Sequence, residues 1–172
     1  MGKKIVIVGG VAGGATAAAR LRRLDESAEI IVLERTGFVS YANCGLPYYV
    51  GGVIPEKSSL TLQSPESFRI RFNIDVRVLS EVTAIDRESK TVAVRNLATG
   101  EEYSLPYDKL ILSPGAKAMV PDTSGVHSKR VLKLRTVEDA LEMRRIVEEE
   151  KPERAVVVGG GFIGLEAAEN LM

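Results

Sequence analysis

The sequence contains no tryptophan, one histidine, one cysteine and no surplus of either charge. With only 4 Phe and 5 Tyr in 172 residues, a core must be built from Val, Ile, Leu and Ala. The 23 basic and 23 acidic side chains balance, which argues against a protein that mainly coats nucleic acid. No apolar run approaches the roughly 20 residues of a membrane span. A lone cysteine excludes an intrachain disulfide and predicts a cytoplasmic location. We expect no nucleic-acid partner, no membrane partner and no metal site.

The glycines concentrate in two turns. Gly9–Gly14 (GGVAGG) follows the predicted strand Lys3–Val8, and Gly159–Gly164 (GGGFIG) follows the predicted strand Ala155–Val158. In such a turn the first glycine permits the tight bend and the third permits close helix–strand packing. The helix that follows offers free N–H groups to phosphates. The alternative, a glycine-rich turn of any α/β fold, is less consistent with a strand before each turn and a helix after it.

The two turns differ at the second glycine position of the motif. Gly161 fills that position in the second turn, whereas Val11 occupies it in the first, where Gly13 is an additional glycine. Glu34 ends the next strand, 20 residues after Gly14, where an acidic side chain binds ribose hydroxyls in dinucleotide folds. We expect Glu34 and the adjacent Arg35 to bind cofactor. For Glu34 the alternative is a solvated strand end.

The remaining pattern predicts an α/β, Rossmann-like fold for FAD or NAD(P), with a parallel sheet, helices and an inserted β-meander. We expect a FAD-binding domain over residues 1–153, with the meander at about 75–106, and the start of a truncated NAD(P)-binding domain over 154–172. The other predicted elements are a helix Ala15–Leu24, a strand Ile30–Glu34, helices Asn43–Val50 and Pro65–Asn73, meander strands Asp75–Leu79, Glu81–Asp86, Thr91–Asn96 and Glu102–Leu105, a strand Lys109–Leu112, a helix Val137–Glu149 and a helix from about Gly164. Two nucleotide turns around a meander indicate a flavin paired with a nicotinamide cofactor.

Cys44 lies ten residues beyond Glu34, in the segment SYANCGLPYYV. Asn43 is a favourable N-cap residue and Pro47 is tolerated in a first helical turn, so we expect Cys44 at a helix N-terminus. The positive end of a helix dipole favours a thiolate, the form that a redox nucleophile requires. The alternative is a small buried hydrophobe, which is the role of most single cysteines.

These motifs carry a family resemblance. The segments SYANCGLPYYVGG (40–52) and GGVAGGATAAARLRRL (9–24) resemble the pyridine nucleotide-disulfide oxidoreductases, in the branch of coenzyme A-disulfide reductases and NADH-dependent persulfide reductases. The resemblance covers essentially the whole chain, and the cysteine segment is its most specific part. It implies that the chain is the flavin domain and the start of the nicotinamide domain of a longer enzyme. That enzyme would be a homodimer through a C-terminal domain, and the isolated chain is expected to be inactive.

The resemblance also implies roles for individual residues. Cys44 would alternate between a thiolate and a mixed disulfide with coenzyme A, and Asn43 and Ser40 would line the same pocket. Further implied flavin contacts are Val82, through its backbone to the adenine, and Ser113 and Gly115 near the cofactor. The implied cofactor-binding glycines are Gly9, Gly13 and Gly14 for FAD and Gly159, Gly161 and Gly164 for NAD(P)H.

Arg20 and Arg23 share a face of the first helix and would bind the phosphates of coenzyme A. The alternative for both is a solvated face whose cations complement the helix dipole. Phe68 and Arg71 are weaker candidates for the same ligand. Their alternative, a core phenylalanine and a surface arginine on an amphipathic helix, is the more common arrangement.

The predicted function is therefore a flavin-dependent reductase in which NAD(P)H reduces FAD and FAD reduces a disulfide at Cys44. Its substrate would be coenzyme A disulfide or coenzyme A persulfide. A NADH oxidase or peroxidase, in which the same cysteine cycles through sulfenic acid, is a second interpretation. A flavin-binding redox module without turnover is a third.

Overall fold

A computed structural model describes residues 2–172 of the chain, which divides into two compact units. The sheet unit comprises residues 2–41 and Gln63–Gly115, and the helical unit comprises Ala42–Leu62 and Ala116–Met172. Within residues 2–172, no helix is both long and apolar enough to cross a membrane.

The elements follow the predicted order closely. In chain order they are β1 Lys4–Val8, α1 Ala12–Leu24, β2 Glu29–Leu33, a 3-10 helix Asn43–Gly45, α2 Leu46–Val50, α3 Lys57–Leu60, α4 Pro65–Phe72, β3 Asp75–Arg77, β4 Ser80–Asp86, β5 Thr91–Asn96, β6 Glu102–Pro106, β7 Lys109–Leu112, α5 Val137–Arg145, a π turn Ile146–Glu150 and α6 Phe162–Leu171. Helices α1 and α6 begin earlier than predicted, because the second half of each glycine turn already has helical backbone.

The sheet unit is built on a parallel sheet in the order β3-β2-β1-β7. In the centre of the sheet, Val6 of β1 lies opposite Ile31 of β2 and Leu110 of β7. The strands are rich in β-branched residues because both faces of the sheet are covered. The carboxyl ends of β1, β2 and β7 therefore meet at one edge of the sheet, where ligands bind in open α/β folds.

One strand of the predicted meander belongs to the parallel sheet instead. β3 (Asp75–Arg77) pairs with β2 in parallel, and the antiparallel meander consists of β4, β5 and β6. The prediction of a four-stranded meander was therefore wrong. Alternation along a strand shows which side chains are buried but not which strand is its partner, and α4 just before β3 supplies the crossover that a parallel pair needs.

Alternate residues of the parallel strands build two cores. Ile5, Ile7, Ile30 and Val32 lie in the cluster that contains Ala15 and Ala18 of α1. On the other face, Val6, Ile31 and Leu33 pack with apolar residues of the meander, namely Val92, Val94 and Leu105. The sheet unit thus has three layers, with helices on one side of the parallel sheet and the meander on the other. This is the predicted Rossmann-like α/β fold with an inserted meander.

In the helical unit, the first turn of α5 is capped by side-chain hydrogen bonds. The Thr136 hydroxyl accepts a hydrogen bond from Asp139 N–H at 3.3 Å, and the Asp139 carboxylate accepts one from Thr136 N–H at 2.9 Å. This capping box satisfies two otherwise free N–H groups of the first turn. Both Val137 and Ala140, on the buried side of α5, are 0% exposed.

The predicted strand Ala155–Val158 is absent from the structure. These residues are not in a strand, and Val156 and Val158 are 88% and 91% exposed. A strand forms only where a neighbouring strand accepts its backbone hydrogen bonds, and no described residue pairs with this segment. A run of apolar residues is therefore not enough by itself to form a strand.

Candidate functional site

In the first glycine turn, backbone carbonyls lie so close to two of the glycines that no side chain would fit. Gly9 has φ +95°, which L side chains rarely adopt, and its N–H donates to Leu33 O at 2.8 Å. A Cβ added at Gly14 would overlap Gly9 O, and one at Gly9 would overlap Ser113 O. At Gly13 an added Cβ would lie 3.1 Å from Ser113 Oγ. Glycine is therefore needed for the fold of the turn itself, and the first N–H groups of α1, which follow in the turn, have no partner within the helix.

Glu34 fixes this turn from the end of β2. Its side chain is buried, with 7% exposed. The carboxylate accepts hydrogen bonds from Gly10 N–H at 2.7 Å, from Thr36 N–H at 2.8 Å and from the Thr36 hydroxyl at 2.8 Å. A solvated strand end is thereby excluded. The sequence analysis missed the bond to Gly10, and the spacing Glu-x-Thr was the available signal for the bonds from Thr36. The ribose contact of Glu34 stays a prediction.

A groove runs along the carboxyl edge of the parallel sheet beside the meander. It has a volume of about 380 Å³ and is lined by Val8, Val82, Thr83, Ala84, Ile85, Leu112 and Pro114. The register of β4 shifts between Val82 and Ala84, so Thr83 is an extra residue in the strand. Ser113 N–H donates to Val8 O at 2.7 Å, and Gly115 has φ +69°. The predicted adenine contact, Val82, thus shares a groove with the neighbours of Ser113.

Arg35 points into solvent beside Glu34. Its side chain is 61% exposed, and its Nη1 lies 3.6 Å from Glu81 Oε1. An exposed ion pair of this kind contributes little to stability. Arg35 is therefore free to reorient toward a ligand.

The arginines of α1 divide into two kinds. Arg22 donates to four backbone carbonyls: Phe72 O at 2.8 Å, Asn73 O at 2.8 Å, Asp25 O at 3.3 Å and Glu26 O at 2.7 Å. Arg20 and Arg23, the predicted phosphate ligands, are exposed. They make no hydrogen bond or ion pair with any residue from 2 to 172. Arg22 ties the helix ends together, whereas its two neighbours are available to bind an anion.

The two candidates on α4 also separate. Phe68 is 3% exposed, and its ring lies 5.8 Å from the Phe72 ring in the core. This core position leaves Phe68 almost no surface with which to contact a ligand. Arg71 is exposed, with its guanidinium carbon 5.6 Å from the centre of the Phe72 ring, so only Arg71 remains a candidate on this helix.

Cys44 lies in the helical unit as a free, exposed thiol. It is the middle residue of the 3-10 helix Asn43–Gly45, which leads directly into α2. Pro47 stands in the first turn of α2, as predicted. The exposure of Cys44 contradicts the alternative of a buried small hydrophobe. Ser40 precedes this segment with φ +47°, and its N–H donates to Gly10 O at 2.9 Å within the sheet unit.

Asn43 does not cap this helix, so that prediction was wrong. The helix begins at Asn43 itself, and the capping position is held by Ala42, without a side-chain hydrogen bond. The Asn43 amide oxygen instead accepts a hydrogen bond from Arg135 Nη1 at 3.2 Å. A partner 92 residues away has no local signal in the sequence.

The second glycine turn repeats the geometry of the first. Gly159 has φ +116°, and a Cβ added at Gly164 would overlap Gly159 O. Gly161 stands at the N-terminal cap of α6, and no atom lies within 4 Å of a Cβ added there. A ligand could therefore approach this backbone closely.

The family model of the pyridine nucleotide-disulphide oxidoreductases matches residues 3–172. The chain belongs to this family. Coenzyme A disulfide reductase from Staphylococcus haemolyticus, strain JCSC1435, is 41% identical over 169 residues, which cover 98% of this chain and 38% of that protein. The chain thus spans well under half the length of this curated relative.

Two similar solved structures have the same fold. Reduced CoADR-RHD from Bacillus anthracis has a TM-score of 0.97 and 53% identity, covering 99% of this chain and 31% of that chain. A NAD-dependent persulfide reductase from A. fulgidus has a TM-score of 0.91 and 42% identity, covering 98% and 31%. The predicted family and fold class are both confirmed.

Proposed function

We propose that this chain is the flavin-binding part of an NAD(P)H-dependent oxidoreductase that reduces coenzyme A disulfide or coenzyme A persulfide at Cys44. The observation that carries the proposal is the exposed, unpaired thiol of Cys44 on a 3-10 helix. Similar proteins are named coenzyme A disulfide reductase and persulfide reductase, which supports this substrate class.

The residues of the sheet unit fit a flavin dinucleotide. Gly9 and Gly14 have no space for a Cβ, so glycine at both positions permits the tight turn, and the start of the helix that follows offers free N–H groups to a pyrophosphate. In the proposed complex Glu34 binds the ribose, Val82 meets the adenine through its backbone, and Ser113 and Gly115 lie near the cofactor. Gly159, Gly161 and Gly164 would hold NAD(P)H in the same way. When bound, FAD accepts a hydride from NAD(P)H and passes the electron pair to sulfur.

Cys44 performs the sulfur chemistry of the proposed reaction. Its thiolate attacks one sulfur of coenzyme A disulfide, which forms a Cys44–coenzyme A disulfide and releases one coenzyme A thiolate to take a proton from solvent. Two electrons then cleave the mixed disulfide, which restores the Cys44 thiolate and releases the second coenzyme A thiol after protonation. From coenzyme A persulfide, the corresponding attack releases hydrosulfide.

The nucleotide part of coenzyme A would be recognised by charge. Arg20 and Arg23 are exposed cations three residues apart on α1, and a guanidinium binds phosphate in bidentate fashion. Arg71 is a further exposed cation for the same ligand. Asn43 immediately precedes Cys44 and Ser40 lies four residues before it, and in the proposed reaction both would contact the reacting end of the substrate.

A second candidate function is a NADH oxidase or peroxidase. The chain has a single cysteine, so a sulfenic acid formed at Cys44 could not condense with a second cysteine of this chain. The absence of a second cysteine in this chain suits an enzyme whose catalytic cycle includes a sulfenic acid. The exposed thiol is equally compatible with this chemistry.

The deciding experiment measures thiol release from coenzyme A disulfide by the full-length protein, with NADH and with NADPH, alongside oxygen consumption. Thiol release stoichiometric with NAD(P)H oxidation supports the proposal. Oxygen or peroxide reduction without thiol release supports the second candidate. A yellow protein that turns over neither substrate would be a flavin-binding module, contrary to both. We further propose that the full-length protein is a cytoplasmic homodimer. Sedimentation of the full-length protein tests the dimer, and cell fractionation tests the location.

A further inference from the structure

Thr36 supplies two of the three hydrogen bonds that the Glu34 carboxylate accepts. Both go to Oε1, one from the Thr36 N–H at 2.8 Å and one from the Thr36 hydroxyl at 2.8 Å. The hydroxyl also lies 3.1 Å from Phe38 O, but it carries a single hydrogen, and the shorter bond to a charged oxygen is the stronger of the two. The Thr36 hydroxyl is therefore a direct partner of this carboxylate.

The backbone holds Thr36 and Glu34 in this arrangement. Glu34 N–H donates to Arg77 O at 2.9 Å, and Glu34 O accepts a hydrogen bond from Ser80 N–H at 2.9 Å. Thr36 O accepts one from Leu79 N–H at 3.1 Å. Both residues are thus fixed against the segment that joins β3 to β4, and the Thr36 side chain is half-buried. The fold of the sheet unit itself sets the position of the hydroxyl.

The second oxygen of the carboxylate lies against the first glycine turn. Glu34 Oε2 accepts the Gly10 N–H at 2.7 Å. A carboxylate has about four acceptor sites, two on each oxygen. Thr36 fills both sites of Oε1 and Gly10 fills one site of Oε2, so the site that is left is on Oε2, beside the turn. The orientation of the carboxylate therefore decides which oxygen a ligand hydroxyl can reach.

We propose that Thr36 is a positioning residue for ribose recognition. By holding Oε1, it fixes the rotation of the Glu34 carboxylate and leaves Oε2 to accept a ribose hydroxyl of the dinucleotide. Without the Thr36 hydroxyl, Oε1 would keep one donor, and the carboxylate could turn about its last side-chain torsion, which is intrinsically broad for glutamate. This role rests on the proposed binding of FAD by the sheet unit.

The test is the affinity of the full-length apoprotein for FAD and for two analogues that lack the 2′ or the 3′ hydroxyl of the adenosine ribose. In the parent, at least one analogue should bind about tenfold more weakly than FAD, the effect of one lost hydrogen bond to a charged group. Thr36→Val keeps the shape of the side chain but removes the hydroxyl, so this difference should shrink to about threefold or less. Thr36→Ser should restore it.

The matched control is Thr91→Val. Thr91 is also half-buried in the sheet unit, and its hydroxyl lies 2.9 Å from the Ser89 hydroxyl at the turn between β4 and β5. This substitution should leave all three dissociation constants unchanged. A Thr36→Val protein that binds all three flavins more weakly by the same factor would have lost only structural support, and that result would overturn the positioning role.

The same titrations separate failure of this role from failure of the proposed function. If the parent binds FAD but its affinity depends on neither ribose hydroxyl, the positioning role is overturned while flavin binding stands. If the parent binds no FAD, both are overturned. These affinities are measured without any coenzyme A compound, so a supporting result stands even if the full-length protein releases no thiol from coenzyme A disulfide.

Discussion

The two glycine turns have the same local geometry in very different surroundings. In both, the first glycine has positive φ and the third lies against the carbonyl of the first. The first turn follows β1, whose Val6 is 0% exposed, whereas the second follows a run of valines in which Val156 is 88% exposed. A glycine turn and the helix after it thus form even where the residues before the turn have no strand partner. A parallel strand forms only when its neighbours are present.

The largest expected effect concerns the chemistry that both turns are proposed to serve. Cys44→Ser leaves both turns and the fold intact, because a hydroxyl is close in size to a thiol, but a serine forms no disulfide and no thiolate. In the full-length protein, disulfide or persulfide reduction should fall by about 10³-fold or more, on the order of 4 kcal/mol in barrier. Flavin reduction by NAD(P)H should persist in stopped-flow traces.

Turnover of the Cys44→Ser protein within about threefold of the parent, roughly 0.65 kcal/mol, would show that Cys44 takes no part in the reaction. The two turns would then serve some other electron acceptor.

The next effect compares the third glycines directly. Gly14→Ala forces a Cβ into Gly9 O inside a packed sheet unit, and we expect a loss of about 3 kcal/mol in the free energy of unfolding of this chain. Gly164→Ala meets the equivalent carbonyl, Gly159 O, in a turn without a sheet, and the local backbone can shift at a cost of under about 1 kcal/mol. Urea denaturation of the two variants measures the difference. Equal losses would contradict the difference in surroundings.

The strands provide a matched pair of valines. Val6→Ala removes a fully buried side chain and should cost about 2 kcal/mol, while Val156→Ala in this chain should change stability by less than about 0.5 kcal/mol. Thermal unfolding of both variants provides the measurement. In a longer protein that supplies strand partners for residues 155–158, Val156→Ala should become as costly as Val6→Ala. An effect of Val156→Ala in this chain comparable to that of Val6→Ala would mean that the segment is already paired.

The smallest expected effect comes from a difference between the helices that follow the two turns. Helix α1 carries three arginines, whereas α6 carries no basic residue. In the full-length protein, the double substitution Arg20→Ala and Arg23→Ala should raise KM for coenzyme A disulfide about tenfold, or 1.4 kcal/mol. KM for a small disulfide without a nucleotide should stay unchanged. Equal losses on the two substrates would assign the pair a structural role.

Features set by neighbouring residues could be predicted from the sequence. The turn at Gly9–Gly14, the start of α2 at Pro47 and the acid at Glu34 each depend on a short stretch of chain. The parallel pairing of β3, the absence of a strand at residues 155–158 and the bond from Arg135 to Asn43 depend on partners far along the chain or absent from it. Composition could not predict that Cys44 is exposed, because cysteine is usually buried and only the surrounding structure determines whether a given cysteine is not.

The hydrogen bonds at the junction between the end of α1 and the end of α4 depend on the side chain of Arg22 but not on the side chains of its partners. All four of its acceptors, at residues 25, 26, 72 and 73, are main-chain carbonyls, which every amino acid possesses. Those four positions can therefore exchange side chains through sequence drift without losing the acceptor. Position 22 has no such latitude, because only a guanidinium offers enough donors in a fixed planar array to reach them together. For these four hydrogen bonds, the requirement is thus one-sided: position 22 needs its guanidinium, whereas the acceptor positions contribute only main-chain oxygens.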